Sequence, residues 1–174
     1  PDNTPILGLP ALLVATVTGI AVGFYSGSRR GAAVGLVRAA SIAFVSLPPL
    51  LTSLLLAFIA ARTGWFPIGG MTSAGLSQPW GAWLADIGWH LPLPTLALAL
   101  PIAATFERLQ SQAISETIHQ PFLIAAAARG LSPDALVFRH AWPVSLRPVC
   151  AIYGLVIGAL LSGSFVVEYL TQWP

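Results

Sequence analysis

Four uncharged, apolar stretches, each long enough to cross a bilayer, restrict what this chain can fold into. They run from Ile6 to Tyr25, between Arg38 and Arg62, from Ile87 to Phe106, and from Pro148 to Val167. About 20 helical residues, rising ~1.5 Å each, cross a ~30 Å hydrocarbon core. In that core every backbone N–H and C=O must be satisfied within the protein, and a helix does so segment by segment. Only 8% of the 174 residues are charged, where a soluble domain carries about 25%. So few charges cannot cover a water-facing surface, so the bilayer is the expected solvent. The expected fold is an all-α polytopic membrane helix bundle with about four transmembrane helices, residues 1–174 forming one transmembrane domain.

Arginine placement orients the bundle. All eight basic residues are Arg. Arg29, Arg30 and Arg38 fall in the first connection, and Arg108, Arg129, Arg139 and Arg147 in the third; the middle connection has Arg62 alone. The positive-inside rule puts the Arg-rich connections in the cytoplasm and both ends of this piece outside. Trp65, Trp80, Trp83, Trp89 and Trp173 then collect on the outer side, a placement suited to headgroups. A short interfacial helix is expected from Pro79 to Ile87. The start does not read as a signal peptide, since no basic region precedes the apolar run. The abrupt ends suggest a piece of a longer protein.

Several function classes lose support. Without a Lys the chain has no Walker A loop, so ATP-driven work would fall to a partner. A net charge of +2 is too small to suggest nucleic acid binding. His90, His119 and His140 lack metal-ligand spacing, so no metal site is expected. No acidic, His or Cys cluster suggests catalysis. Cys150 reads as a small core-filling residue. Gly154, Gly158 and Gly163 are expected to let helices approach closely. Ser41, Ser46, Ser53, Ser162 and Ser164 either glue helices together or line a path. Pro48, Pro49, Pro92, Pro94 and Pro101 either shape helices or form a hinge or path wall. Glu107-Arg108 is expected to anchor the third span at the inner interface. Glu168 has three readings: a structural role at the outer mouth, contact with solute or a binding protein, or plain interfacial placement.

The third connection, residues 107–147, carries most of the local signal. Helical composition from Glu107 to Ile118 breaks at Gln120-Pro121, and a short helix follows from Phe122 to Ala128. Gly130 suits the left-handed position beyond that helix. Ser132 and Pro133 then suit the N-cap and first turn of another helix. By physics alone this is either a docking element or a compact loop.

Here the sequence resembles the permease subunits of ABC importers. The stretch AAAARGLSPDALVFRHAWPVSLRPV is similar to their cytoplasmic loop motif, with matches at Ala125, Ala126, Gly130 and Pro143. Ile124 stands where the motif has Glu, and His140-Ala141-Trp142 replaces Ile-x-Leu. The peptide, nickel and opine branch is more similar: Ala126 to Ser132 reads AAARGLS, followed by Arg139-His140-Ala141 and Leu146-Arg147-Pro148-Val149. Gly64-Trp65-Phe66-Pro67, Leu91 to Leu96, Val166-Val167-Glu168 and Trp173-Pro174 resemble further motifs of that branch, in order.

The resemblance implies a type I importer permease, a six-helix subunit of which this piece holds helices two to five. Residues 107–147 would be the coupling loop. Phe122, Ala125, Ala126, Arg129, Gly130, Leu131, Ser132, Asp134 and Pro143 would form or support the ATPase dock, with Ala126 and Gly130 permitting close packing. Ser46, Pro48, Ser53 and Glu168 are the path or outer-mouth candidates. The implied partners are a second permease subunit, two ATPases holding ATP and Mg, and an external solute-binding protein at the bacterial inner membrane. This chain would bind no cofactor. The runner-up is a secondary transporter or channel without an ATPase, which would have little use for such a loop.

Overall fold

The computed structural model describes residues 4–70, 72 and 80–173, and among them every regular element is helical. The elements are α1 (Thr4–Ser28), α2 (Ala32–Ser46), α3 (Pro49–Thr63), α4 (Trp80–His90), α5 (Pro92–Thr117) and α6 (Pro121–Ala128). Then come α7 (Pro133–Ala135), a π-helical segment (Leu136–Ala141), α8 (Trp142–Ser145), α9 (Arg147–Ala151) and α10 (Tyr153–Thr171). Within α1 and α10, Pro5–Ser28 and Tyr153–Thr171 are long and apolar enough to span singly. The pairs α2–α3 and α4–α5 each qualify as one bent span, which gives up to four.

The second span is not the single helix expected between Arg38 and Arg62. It breaks into two 15-residue helices bent by 111°. The sequence Leu47-Pro48-Pro49 is the cause. A residue before proline is driven out of the α region, and here two successive residues are: Leu47 lies at φ −89°, ψ 120° and Pro48 at φ −60°, ψ 150°. The broken segment still runs from one end of the bundle to the other. Arg38 Nη2 donates to Ser26 O at the end of α1 (3.0 Å), whereas Gly70 N–H donates to Thr171 O at the far end of α10 (2.7 Å). The expected interfacial helix exists as α4, starting at Trp80; Pro79 lies outside the described residues. It joins α5 through a 42° bend beside Leu91.

The bundle is organised around α1 and α5, which run parallel in extensive contact. Gly19 lies against Ala103 and Phe106, Gly23 against Glu107 and Gln110, and Gly27 against Ser111 and Ile114. With the fully buried Ala11 and Ala15, these glycines put a small residue at every fourth position of one α1 face. Lipid tails are as apolar as Leu, so close van der Waals packing drives such association. The glycines singled out from sequence behave differently. A side chain at Gly154 or Gly158 would meet nothing within 4 Å, and Gly163 makes only ordinary contacts with Leu98 and Pro49. Cys150 is exposed and fills no core.

Polar groups tie α1 and α5 to each other and to α8 and α10. Glu107 is 2% exposed and accepts a hydrogen bond from Ser26 Oγ, so it is not the interfacial anchor expected. Its Oε2 atom has no partner among the described residues. Gln110 Nε2 donates to Ser145 Oγ (2.8 Å), and the Thr16 and Tyr153 hydroxyls pair between α1 and α10.

Candidate functional site

The loop between α5 and α10 folds as a chain of short helices across the Arg-rich end of the bundle. Pro121 starts α6 because its missing N–H falls where a helix has no internal acceptor, with extended Gln120 as N-cap. Gly130 N–H donates to Ala127 O (2.9 Å), and Gly130 adopts φ +85°. In that left-handed region an L side chain costs roughly 1–2 kcal/mol. Ser132 Oγ accepts from Ala135 N–H (3.3 Å), capping α7. The next turn widens into the π segment, where Trp142 N–H reaches Val137 O. Pro143 explains the widening: it has no N–H, and its ring would strike the carbonyl four residues earlier in a regular helix.

The short helix has two unlike faces. Leu123 (4% exposed) packs in a small core with Ile114 and Ala141, and Ala126 (2%), three residues on, is buried on the same side of the helix. Phe24 packs beside that core, edge-on against Trp142 at 4.5 Å between ring centroids. On the other side Ile124 is 63% and Phe122 44% exposed, and Ala125, Ala128, Arg129 and Gly130 are exposed with them. Ala126 is therefore corrected: it packs against the chain's own bundle, not toward a partner. Ser132, Asp134 and Pro143 are exposed, and Leu131 is half-buried. This end of the chain presents an apolar surface, carried by a short helix that Pro121 starts and Gly130 ends, beside cationic Arg129 and acidic Asp134.

The path candidates do not converge. Ser46 and Pro48 are exposed at the α2–α3 break, where Ser46 Oγ donates to Ile42 O (2.8 Å). Ser53 is 1% exposed and donates to Leu50 O (2.8 Å). Half-buried Glu168 sits near the outer end of α10, its Oε1 without a partner among the described residues. Ser53, Ser162 and Ser164 bond carbonyls of their own helices, so they do not glue helices by hydrogen bonds. Cross-helix side-chain contacts come instead from Ser26 with Glu107, Gln110 with Ser145 and Thr16 with Tyr153; of these residues the sequence singled out Glu107 alone, and for another role. The Gly19-Gly23-Gly27 spacing was the signal available for the helix face that carries Ser26's neighbours.

The caps make a first prediction. Ser132→Ala and Gly130→Ala should each lower the local opening free energy of the loop by about 1 kcal/mol. Hydrogen exchange across residues 121–135 reads this, and unchanged protection there would refute the capping account.

The chain is thus a polytopic helical bundle whose Arg-rich end is crossed by a loop of short helices. The sequence profile of the binding-protein-dependent transport system inner membrane components matches residues 19–174, and the chain belongs to that family. It is 30% identical to the di/tripeptide transport system permease protein of Pseudomonas aeruginosa, over 97% of this chain and 55% of that protein. It is also 30% identical to the dipeptide transport system permease protein of Bacillus subtilis, over 97% of this chain and 51% of that one. An oligopeptide transport system permease protein of Mycobacterium bovis is 30% identical over 91% of the chain and 51% of its own length. The chain thus spans about half the length of the curated relatives it matches.

Proposed function

We propose that this chain forms the core of the permease subunit of an ATP-driven importer, lining the route of peptides or similar small solutes across the bacterial inner membrane. The observation that carries this reading is the exposed apolar face of α6, with Phe122 and Ile124 held outward by Leu123 and Ala126. It is the coupling surface, seated in a groove on an ATPase subunit, with Arg129 and Asp134 pairing with charges around it. Two ATPases hold ATP and Mg, and their closure moves α6 and re-opens the path to the other side. A second permease subunit and an external solute-binding protein complete the assembly. Peptide cargo follows from the names of the relatives; nickel and opines are the alternatives within the branch.

The test uses the full-length subunit, co-expressed with its neighbouring transport genes. It should purify with an ATP-hydrolysing subunit and, in proteoliposomes, move labelled dipeptide only when ATP is supplied. Absence of any ATPase despite its expression, or uptake that persists without ATP, would overturn the reading.

A further inference from the structure

The Arg-rich end of the bundle holds a cavity that the transport reading leaves unused. It lies between the end of α1, the first turn of α2 and the end of α5, and has a volume of about 500 Å³. Ser28, Arg29, Arg30, Arg38, Ser115 and His119 supply its polar lining. The chain has eight Arg in all, so three of them share this one cavity, and no carboxylate lines it. Arg38 also borders an adjoining cavity that holds Glu107 and Glu116, but Arg29 and Arg30 line only this carboxylate-free one, where neighbouring guanidinium groups repel one another and favour an anion between them. Arg38 is held at the wall by its hydrogen bond to Ser26 O (3.0 Å). The α2 N-cap is Gly31, which offers no side chain to cap the helix. The first-turn N–H groups thus add to a field that favours negative charge.

Position and lining select among anions. The cavity opens where the spanning segment Pro5–Ser28 ends, the level at which lipid phosphates lie. Val34 and Ile118 give it an apolar wall beside the arginines, which suits the junction between a phosphate and a glycerol backbone. Basic pockets between membrane helices on the cytoplasmic side bind anionic lipid headgroups in this way. We propose that this cavity binds the phosphate of an anionic phospholipid of the inner leaflet, with Arg29, Arg30 and Arg38 as its ligands. The site is separate from the α6 face, so its test does not depend on which solute is carried.

The experiment measures binding of fluorescent phosphatidylglycerol to the full-length subunit in mild detergent. Arg29→Gln/Arg30→Gln is compared with Arg62→Gln, the single arginine of the opposite connection. The double variant should weaken binding tenfold or more, Arg62→Gln should leave it unchanged, and Arg29→Lys/Arg30→Lys should restore most of it. Unlabelled phosphatidylglycerol should displace the probe, and phosphatidylcholine should do so poorly. Equal affinity in the Gln double variant, with a monodisperse gel-filtration profile, overturns the site. Displacement by inorganic phosphate as effective as by phosphatidylglycerol assigns the cavity to free phosphate and overturns the lipid assignment.

Discussion

Gly23→Leu is expected to abolish the folded subunit, whereas Gly158→Leu should leave its folding unchanged. Both glycines sit in small-xxx-small spacings on apolar helices, yet their surroundings are opposite. A Cβ at Gly23 would lie 2.8 Å from Glu107 O and 2.7 Å from Gln110 Cβ. The first of these is backbone and cannot step aside. Gly19 and Gly27 meet α5 backbone as closely, Ala103 O and Ser111 O each at 2.6 Å, so the helix cannot slide to relieve one clash without making another. The whole α1–α5 contact must open, and with it the bonds of Ser26 to Glu107 and of Arg38 to Ser26. Overpacking a tight site costs about 1–3 kcal/mol; a Leu against rigid backbone should reach or exceed the upper figure. At Gly158 the same side chain meets open space. Yield of monodisperse full-length protein and thermal unfolding read the difference. Equal behaviour of the two variants would refute the account of α1–α5 packing.

The contrast shows what a one-dimensional reading reaches. The helical class, the two unbroken spans and the helix ends at Gln120-Pro121, Gly130 and Ser132 follow from hydrophobic length and local backbone chemistry, which act within a few residues; four spans are reached only with each bent pair counted as one. The α2–α3 break was also written locally, in Leu47-Pro48-Pro49, because two prolines in a row remove two residues from the helical region. The glycine pairs could not be separated in that way, since each pattern says only that a close approach is permitted. Whether a helix takes it up depends on what lies opposite. Glu107 was misplaced for a related reason. Counting residues set it at the end of a span, and the helix does continue past it to Thr117 as its composition indicates, but Ser26 on α1 offers it a buried donor. The orientation of α6 was the least legible feature. Its sequence, PFLIAAAA, has no polar side to contrast with the apolar one, so periodicity cannot tell which face turns inward.

That orientation gives the second large effect. On the proposed coupling role of α6, Ile124→Asp should reduce co-purification of an ATPase subunit by about a hundredfold while the permease stays folded. Ile124 is 63% exposed, so the substitution disturbs little of the bundle's own packing, and surface changes of this kind usually stay within about 0.5 kcal/mol. At an apolar protein contact, a buried and unpaired carboxylate costs several kcal/mol, and central apolar anchors carry most of the binding energy. A loss of roughly 3 kcal/mol corresponds to a hundredfold or more in affinity. Phe122→Asp should act alike. Ala126→Asp should instead unfold the loop, because Ala126 is 2% exposed and a carboxylate there would be buried. A bulky residue at Gly130 is a poorer probe than the family motif would suggest: at φ +85° any side chain strains the turn, so lost docking and lost structure would look the same. Ile124 and Ala126 separate them, one facing outward and the other inward on the same two turns of helix. An ATPase retained at the native level by both Ile124→Asp and Phe122→Asp would remove α6 as the coupling surface and leave the loop as a structural clasp over the end of the bundle.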